Sequence, residues 1–134
     1  MTQELTDIAA RCLHGSENNT MPFPVVVQTL AAAGFESYSI DFRKSEATYY
    51  LPDGTSITIP ADSSNTNITA TFDAESVNAA IKEAQALVPG YTYKGFCDKV
   101  RAAGCAGYMV SFSGHRAMYY GRTGETHTEM FPNR

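Results

Sequence analysis

Near its C-terminus the chain reads AMYYGRTGETHTE, residues 117–129, and Glu125, His127 and Glu129 in this stretch can each hold or move a proton. An imidazole with a carboxylate two residues to either side has the spacing that puts strand side chains on one face. Such a set can relay a proton, orient a general base or bind a polar ligand. Tyr119, amphipathic and suited to rimming a pocket, lies in the same stretch. An earlier stretch, ATYYLPDGTSITI (residues 47–59), has the same layout, but Ile57 and Ile59 stand where the later one has His127 and Glu129.

The other chemistry-bearing residues point to packing. Cys12 and Cys97 fall on apolar helical stripes and read as small buried hydrophobes. Cys105 follows a helix end with no base beside it in sequence to activate a thiolate. Three cysteines without a CxxC give no disulfide framework. His14, before Gly15, reads as the end of the first helix, where imidazolium complements the helix dipole; His115 falls in a strand turn. The chain has no P-loop, dinucleotide fingerprint, HExxH, GxSxG or spaced zinc ligands, and no cofactor is expected.

The elements that must position these residues come twice. Residues 23–59 align with 93–129 at a constant offset of 70, with ten identities where average residue usage gives about two. The matches include Gly34/Gly104, Tyr38/Tyr108, Phe42/Phe112, Tyr49/Tyr119 and Gly54/Gly124. In each unit a helix runs to the glycine (Val26, Val27 and Leu30 on one stripe; Phe96, Cys97 and Val100 on the other), and a left-handed glycine is expected to close it. SYSIDF and GYMVSF then alternate as half-buried strands. A two-residue turn at Lys44-Ser45 leads to the second strand, pairing Phe42 with Ala47 and Ile40 with Tyr49. PDG and RTG read as three-residue turns with a glycine bulge before the third strand. A further helix precedes each unit, through Leu5, Ile8, Ala9 and Cys12 or, over residues 75–88, through Val77, Ala80, Ile81, Ala84 and Leu87, the second with Asp73 as N-cap. The expectation is an α+β fold: a duplicated helix-helix-three-stranded antiparallel meander with pseudo-twofold symmetry. It is one domain over residues 1–134, with repeats 1–60 and 73–132 and a Ser/Thr/Asn-rich linker at 61–72.

That register assigns one face of the first meander to Tyr38, Ile40, Phe42, Ala47, Tyr49, Leu51, Ile57 and Ile59. In the second copy it pairs Tyr119 with His127, puts Glu129 opposite Ala117, and places Glu125 on the same face at the turn. Buried charge is costly unless paired, so this end of the sheet should line a cleft or enter a hydrogen-bonded network. Tyr119, Glu125, His127 and Glu129 are therefore the candidate ligand-binding residues.

The net charge of −4, with no Lys/Arg cluster, argues against a nucleic-acid partner. No apolar run approaches a membrane span, and MTQELTDIAARCL lacks the layout of a signal peptide. A cytoplasmic location is expected, with a small molecule or a protein as partner and a homodimer among the assemblies the sequence allows.

The pattern AAGCAGYMVSF…YYGRTGETHTEMFP, with the earlier AAGFESYSIDF…YYLPDG, resembles the YbcV-like family of small bacterial and prophage proteins, some described as phage envelope proteins. The resemblance covers nearly the whole chain and implies a bacterial origin and a domain of unknown function; it supplies no catalytic residues. The sequence favours a non-enzymatic ligand- or protein-binding module with a cleft near the second-repeat sheet. The alternative is a small hydrolase or metal-dependent enzyme using His127 with Glu125 and Glu129.

Overall fold

The structure, a computed structural model, describes residues 1–131. Position 132, the expected end of the second repeat, therefore lies outside the described residues. In each half two helices precede a three-stranded meander: α1 (Gln3–Glu17), α2 (Phe23–Ala32), β1 (Ser37–Asp41), β2 (Glu46–Tyr50) and β3 (Ser56–Pro60), then α3 (Ala74–Ala86), α4 (Tyr93–Ala102), β4 (Cys105–Ser111), β5 (Arg116–Gly121) and β6 (Thr126–Met130). This is the expected duplicated α+β arrangement.

The meanders join edge to edge into one antiparallel sheet, ordered β3-β2-β1-β4-β5-β6. At the junction Tyr38 faces Val110 and Ile40 faces Tyr108, bracketing the pair Ser39–Met109. These two residues are 70 positions apart, so the pseudo-twofold axis passes between them. Phe42 N donates to Ala106 O and Phe112 N to Glu36 O, the same bond read from either side of the axis.

Local signals explain the boundaries. Asp73 caps α3 by accepting from Ser76 N, and Thr92 caps α4 by accepting from Gly95 N. Gly34 and Gly104 follow α2 and α4 at φ of 102° and 93°, as a left-handed closing residue requires. Gly15 does not end α1: the helix runs on to Glu17, because Gly15 is there for packing, and a Cβ on it would strike the Met21 side chain. His14 consequently sits within the last helical turn, and Asn19 takes the left-handed conformation (φ 59°).

The turn after β1 corrects the register expected for that hairpin. It spans four residues, 42–45, so Ile40 pairs with Ala47 and Tyr38 with Tyr49. Asp41 stabilises the longer turn by accepting from the Arg43 and Lys44 amides, and Ser45 closes it at φ 54°. The second copy repeats the device with Ser111, Gly114 and His115 (φ 52°). The difference is two residues, an even number, so every side chain stays on its expected face. The β2–β3 and β5–β6 registers are as expected.

All the helices cover one face of the sheet. Beneath them Tyr49, Tyr38, Tyr108 and Tyr119 form a row with ring centroids 5.5, 6.4 and 5.1 Å apart. Phe42, Phe112, Ile40 and Val110 complete the covered face, all buried. Tyr50 and Tyr120 point to the open face. Residues 61–72 are pinned across α4: Thr69 N donates to Arg101 O, Asp73 N to Ala103 O, and Phe72 is buried against Gly121.

Candidate functional site

His127 and Glu129 lie on the edge strand β6, opposite Tyr119 and Ala117. Alternation puts both on the helix-covered face, at the end of the tyrosine row, where α3 packs against β6. Glu129 is held there by α3: Lys82 Nζ donates to its Oε2 at 2.9 Å and Gln85 Nε2 to the same oxygen at 3.2 Å. His127 Nε2 lies 3.6 Å from Glu129 Oε1, an ion pair when the imidazole is protonated. It is also buried with no hydrogen-bond partner among the described residues. Both side chains are about four-fifths buried, at 23% and 17% exposure. Burial alone would push the Glu129 pKa up, but the bonds from Lys82 and Gln85 outweigh it and the carboxyl ends below its ordinary value.

The structure thus brings together Tyr119, His127 and Glu129. Glu125 stands apart: it is exposed in the turn, where its carboxylate accepts from the Thr123 hydroxyl. Its spacing matched a strand position, but the residue precedes β6 and belongs to the glycine turn, so strand alternation does not govern it.

The second half differs from the first as a set. The helix preceding each unit is offset by 72, so Lys82 corresponds to Ala10 and Gln85 to Leu13. Ile57, Ile59, Ala10 and Leu13 of the first half are all apolar; His127, Glu129, Lys82 and Gln85 replace them with a continuous polar seam between α3 and β6. Sequence reasoning found the strand half of this seam and missed Lys82 and Gln85. Lys82 and Gln85 lie on the exposed flank of α3, off the stripe of Val77, Ala80 and Ile81, so the sequence gives no signal that singles them out.

The model of the family described as "Protein of unknown function (DUF1398)" matches residues 11–129. The chain belongs to that family. The match takes in both halves of this DUF1398 protein, including the polar seam. A search of curated proteins finds no match.

Burial holds the thiols of this DUF1398 chain in their protonated forms. Cys97 is pushed up to about 12 and Cys105 to about 11, and Cys12 is also raised. Among the described residues no three His, Cys, Asp or Glu side chains converge as a metal-binding group, and no helix is long and apolar enough to cross a membrane.

A second polar feature was not singled out from sequence. Arg101 on α4 is buried, at 5% exposure, and is the one charged side chain in the core among the described residues. Its Nη2 donates to Phe42 O at 2.9 Å and its guanidinium lies 5.0 Å above the Phe42 ring. In sequence it reads as an ordinary cation in the last helical turn.

Proposed function

We propose that this protein is a non-enzymatic binding module whose recognition site is the α3–β6 seam, with Tyr119, His127 and Glu129 as ligand-facing residues. The observation that carries the reading is the joint replacement of Ala10, Leu13, Ile57 and Ile59 by Lys82, Gln85, His127 and Glu129. Apolar packing would hold α3 on β6 at less cost than partly buried charge. A polar seam in which His127 Nε2 has no hydrogen-bond partner among the described residues fits a site that completes its hydrogen bonds with a ligand. A small polar molecule or a peptide segment suits it. The motifs shared with YbcV-like proteins support a bacterial or prophage origin, and a cytoplasmic location is part of the same reading.

The second reading, a small hydrolase or metal-dependent enzyme, draws on the 3.6 Å approach of His127 to Glu129. Binding is favoured over it because Glu129 is already committed to Lys82 and Gln85 and the thiols are held protonated.

The test is to restore the first-half residues together (Lys82→Ala, Gln85→Leu, His127→Ile, Glu129→Ile). The variant should stay within about 1 kcal/mol of the natural protein in a denaturant melt, because Lys82 and Gln85 are exposed. It should also lose any thermal shift that a panel of small polar compounds gives the natural protein. A marked loss of stability would assign the seam to folding. A thermal shift kept by the variant would remove the seam as the site.

A further inference from the structure

The sheet ends in two edge strands, β3 and β6, and the sequence blunts only one of them. Leu51 N donates to Thr55 O and Ala61 N to Ser45 O at the two ends of the β2–β3 ladder. Gly121 N donates to Glu125 O and Phe131 N to His115 O at the same places in the β5–β6 ladder. Bonded pairs alternate with unbonded ones along an antiparallel ladder, so the odd-numbered residues of each edge strand bond inward and the even-numbered ones turn outward. Ser56, Thr58 and Pro60 thus present their backbone beyond β3, and Thr126, Thr128 and Met130 present theirs beyond β6. Pro60 has no N–H to offer and blunts its edge. Met130 holds the equivalent position 70 residues on and has one, so β6 keeps a full row of outward donors and acceptors. All three outward residues of β6 are exposed, Met130 at 50%.

Charge decides which strand fits that edge. A strand added to β6 must set a side chain opposite His127 and another opposite Glu129, and an acidic or apolar residue beside the carboxylate is disfavoured. A second copy of β6, running antiparallel, has three central registers. Centred on Glu129 it sets two carboxylates opposite each other, and centred on His127 it sets two imidazoles opposite each other. Centred on Thr128 it sets His127 opposite the partner's Glu129, twice over, and every outward backbone group of Thr126, Thr128 and Met130 meets its complement. Thr128 then faces its own copy, a threonine pair of the kind the sheet holds at Thr48 and Thr58, whose hydroxyls are 3.0 Å apart.

We infer that β6 is the interface of a symmetric homodimer, two copies pairing this strand antiparallel about Thr128 to continue the sheet from one subunit into the other. His127 and Glu129 belong also to the proposed recognition seam, but the pairing rests on backbone and charge and holds whether or not the seam takes a ligand. Five paired residues make a narrow interface, so the dimer is weak, with a midpoint on the order of 100 µM.

The experiment is sedimentation velocity of the full chain from about 1 µM to about 1 mM, with disulfide trapping as the test of register. The natural protein should show a reversible monomer–dimer equilibrium. Met130→Pro, which copies the first half, removes two backbone bonds per dimer and should weaken association roughly tenfold or more. Thr128→Cys should cross-link to itself under mild oxidation, with the natural chain, whose cysteines are Cys12, Cys97 and Cys105, as control. Thr126→Cys and Met130→Cys should each fail to cross-link alone, because like residues then lie about 14 Å apart along the strands. Mixed together, those two variants should cross-link to each other. A monomer at every concentration overturns the dimer and leaves the β6 edge to a strand of another protein. Association unchanged by Met130→Pro in a folded variant overturns β6 as the interface. Should that variant fail to fold, the cysteine variants decide: no cross-link through Thr128→Cys, or an equal one through Thr126→Cys alone, overturns the pairing.

Discussion

At the scale of single residues, burial decides which groups have chemistry left. Five tyrosines, Tyr38, Tyr49, Tyr93, Tyr108 and Tyr119, have their pKa raised chiefly by desolvation, so none is a ready base near neutral pH. Glu129 goes the other way. Its folded pKa lies below its ordinary 4.5, so the carboxylate stabilises the fold above that value and the contribution is lost as pH falls through the folded pKa. Acid melts of the natural protein and Glu129→Gln should therefore diverge above about pH 4.5 and converge below it. Parallel stability curves across that window would show that the Lys82 bond adds nothing. Gly107, in the centre of the sheet, is constrained by space: a Cβ there would meet the Ile40 carbonyl oxygen and the Tyr120 ring. Gly107→Ala should cost about 1–3 kcal/mol in a urea melt, the usual penalty of overpacking.

At the scale of elements, the helices and strands were legible because each carries its own period and its own stop. Asp73 before α3, Gly34 and Gly104 after α2 and α4, and the PDG and RTG turns lie where short-range rules put them. The strand half of the seam was legible for the same reason, since strand alternation carries His127 and Glu129 to the face where Ile57 and Ile59 sit. The four-residue turn after β1 was not, because the choice depends on the Asp41 carboxylate reaching two amides, which spacing does not reveal. Arg101 was not legible either: only the docking of α4 beside the turn after β1 buries it. Caps are the most separable contributions at this scale. Thr92→Ala removes the acceptor for Gly95 N and should destabilise α4 by about 1 kcal/mol. An unchanged thermal melting curve would mean that tertiary packing alone sets the start of that helix.

At the scale of the whole molecule, β1 and β4 are flanked on both sides while β3 and β6 form the edges. Amides of β1 and β4 should therefore exchange with deuterium only through global opening, with one common free energy in both strands. Two values more than about 1 kcal/mol apart would mean that the halves open independently. The register at Ser39–Met109 reaches further than stability. A repeat on its own would end at the open edge of β1, and the edge that fits it is the same strand of an identical neighbour. The chain has the form of a symmetric homodimer whose subunits were fused through residues 61–72. In a homodimer every substitution is made twice, on both sides of the axis. A single fused chain is free of that constraint: one half has an apolar seam, with Ala31 on its surface, and the other has Lys82, Arg101, His127 and Glu129 in the equivalent places.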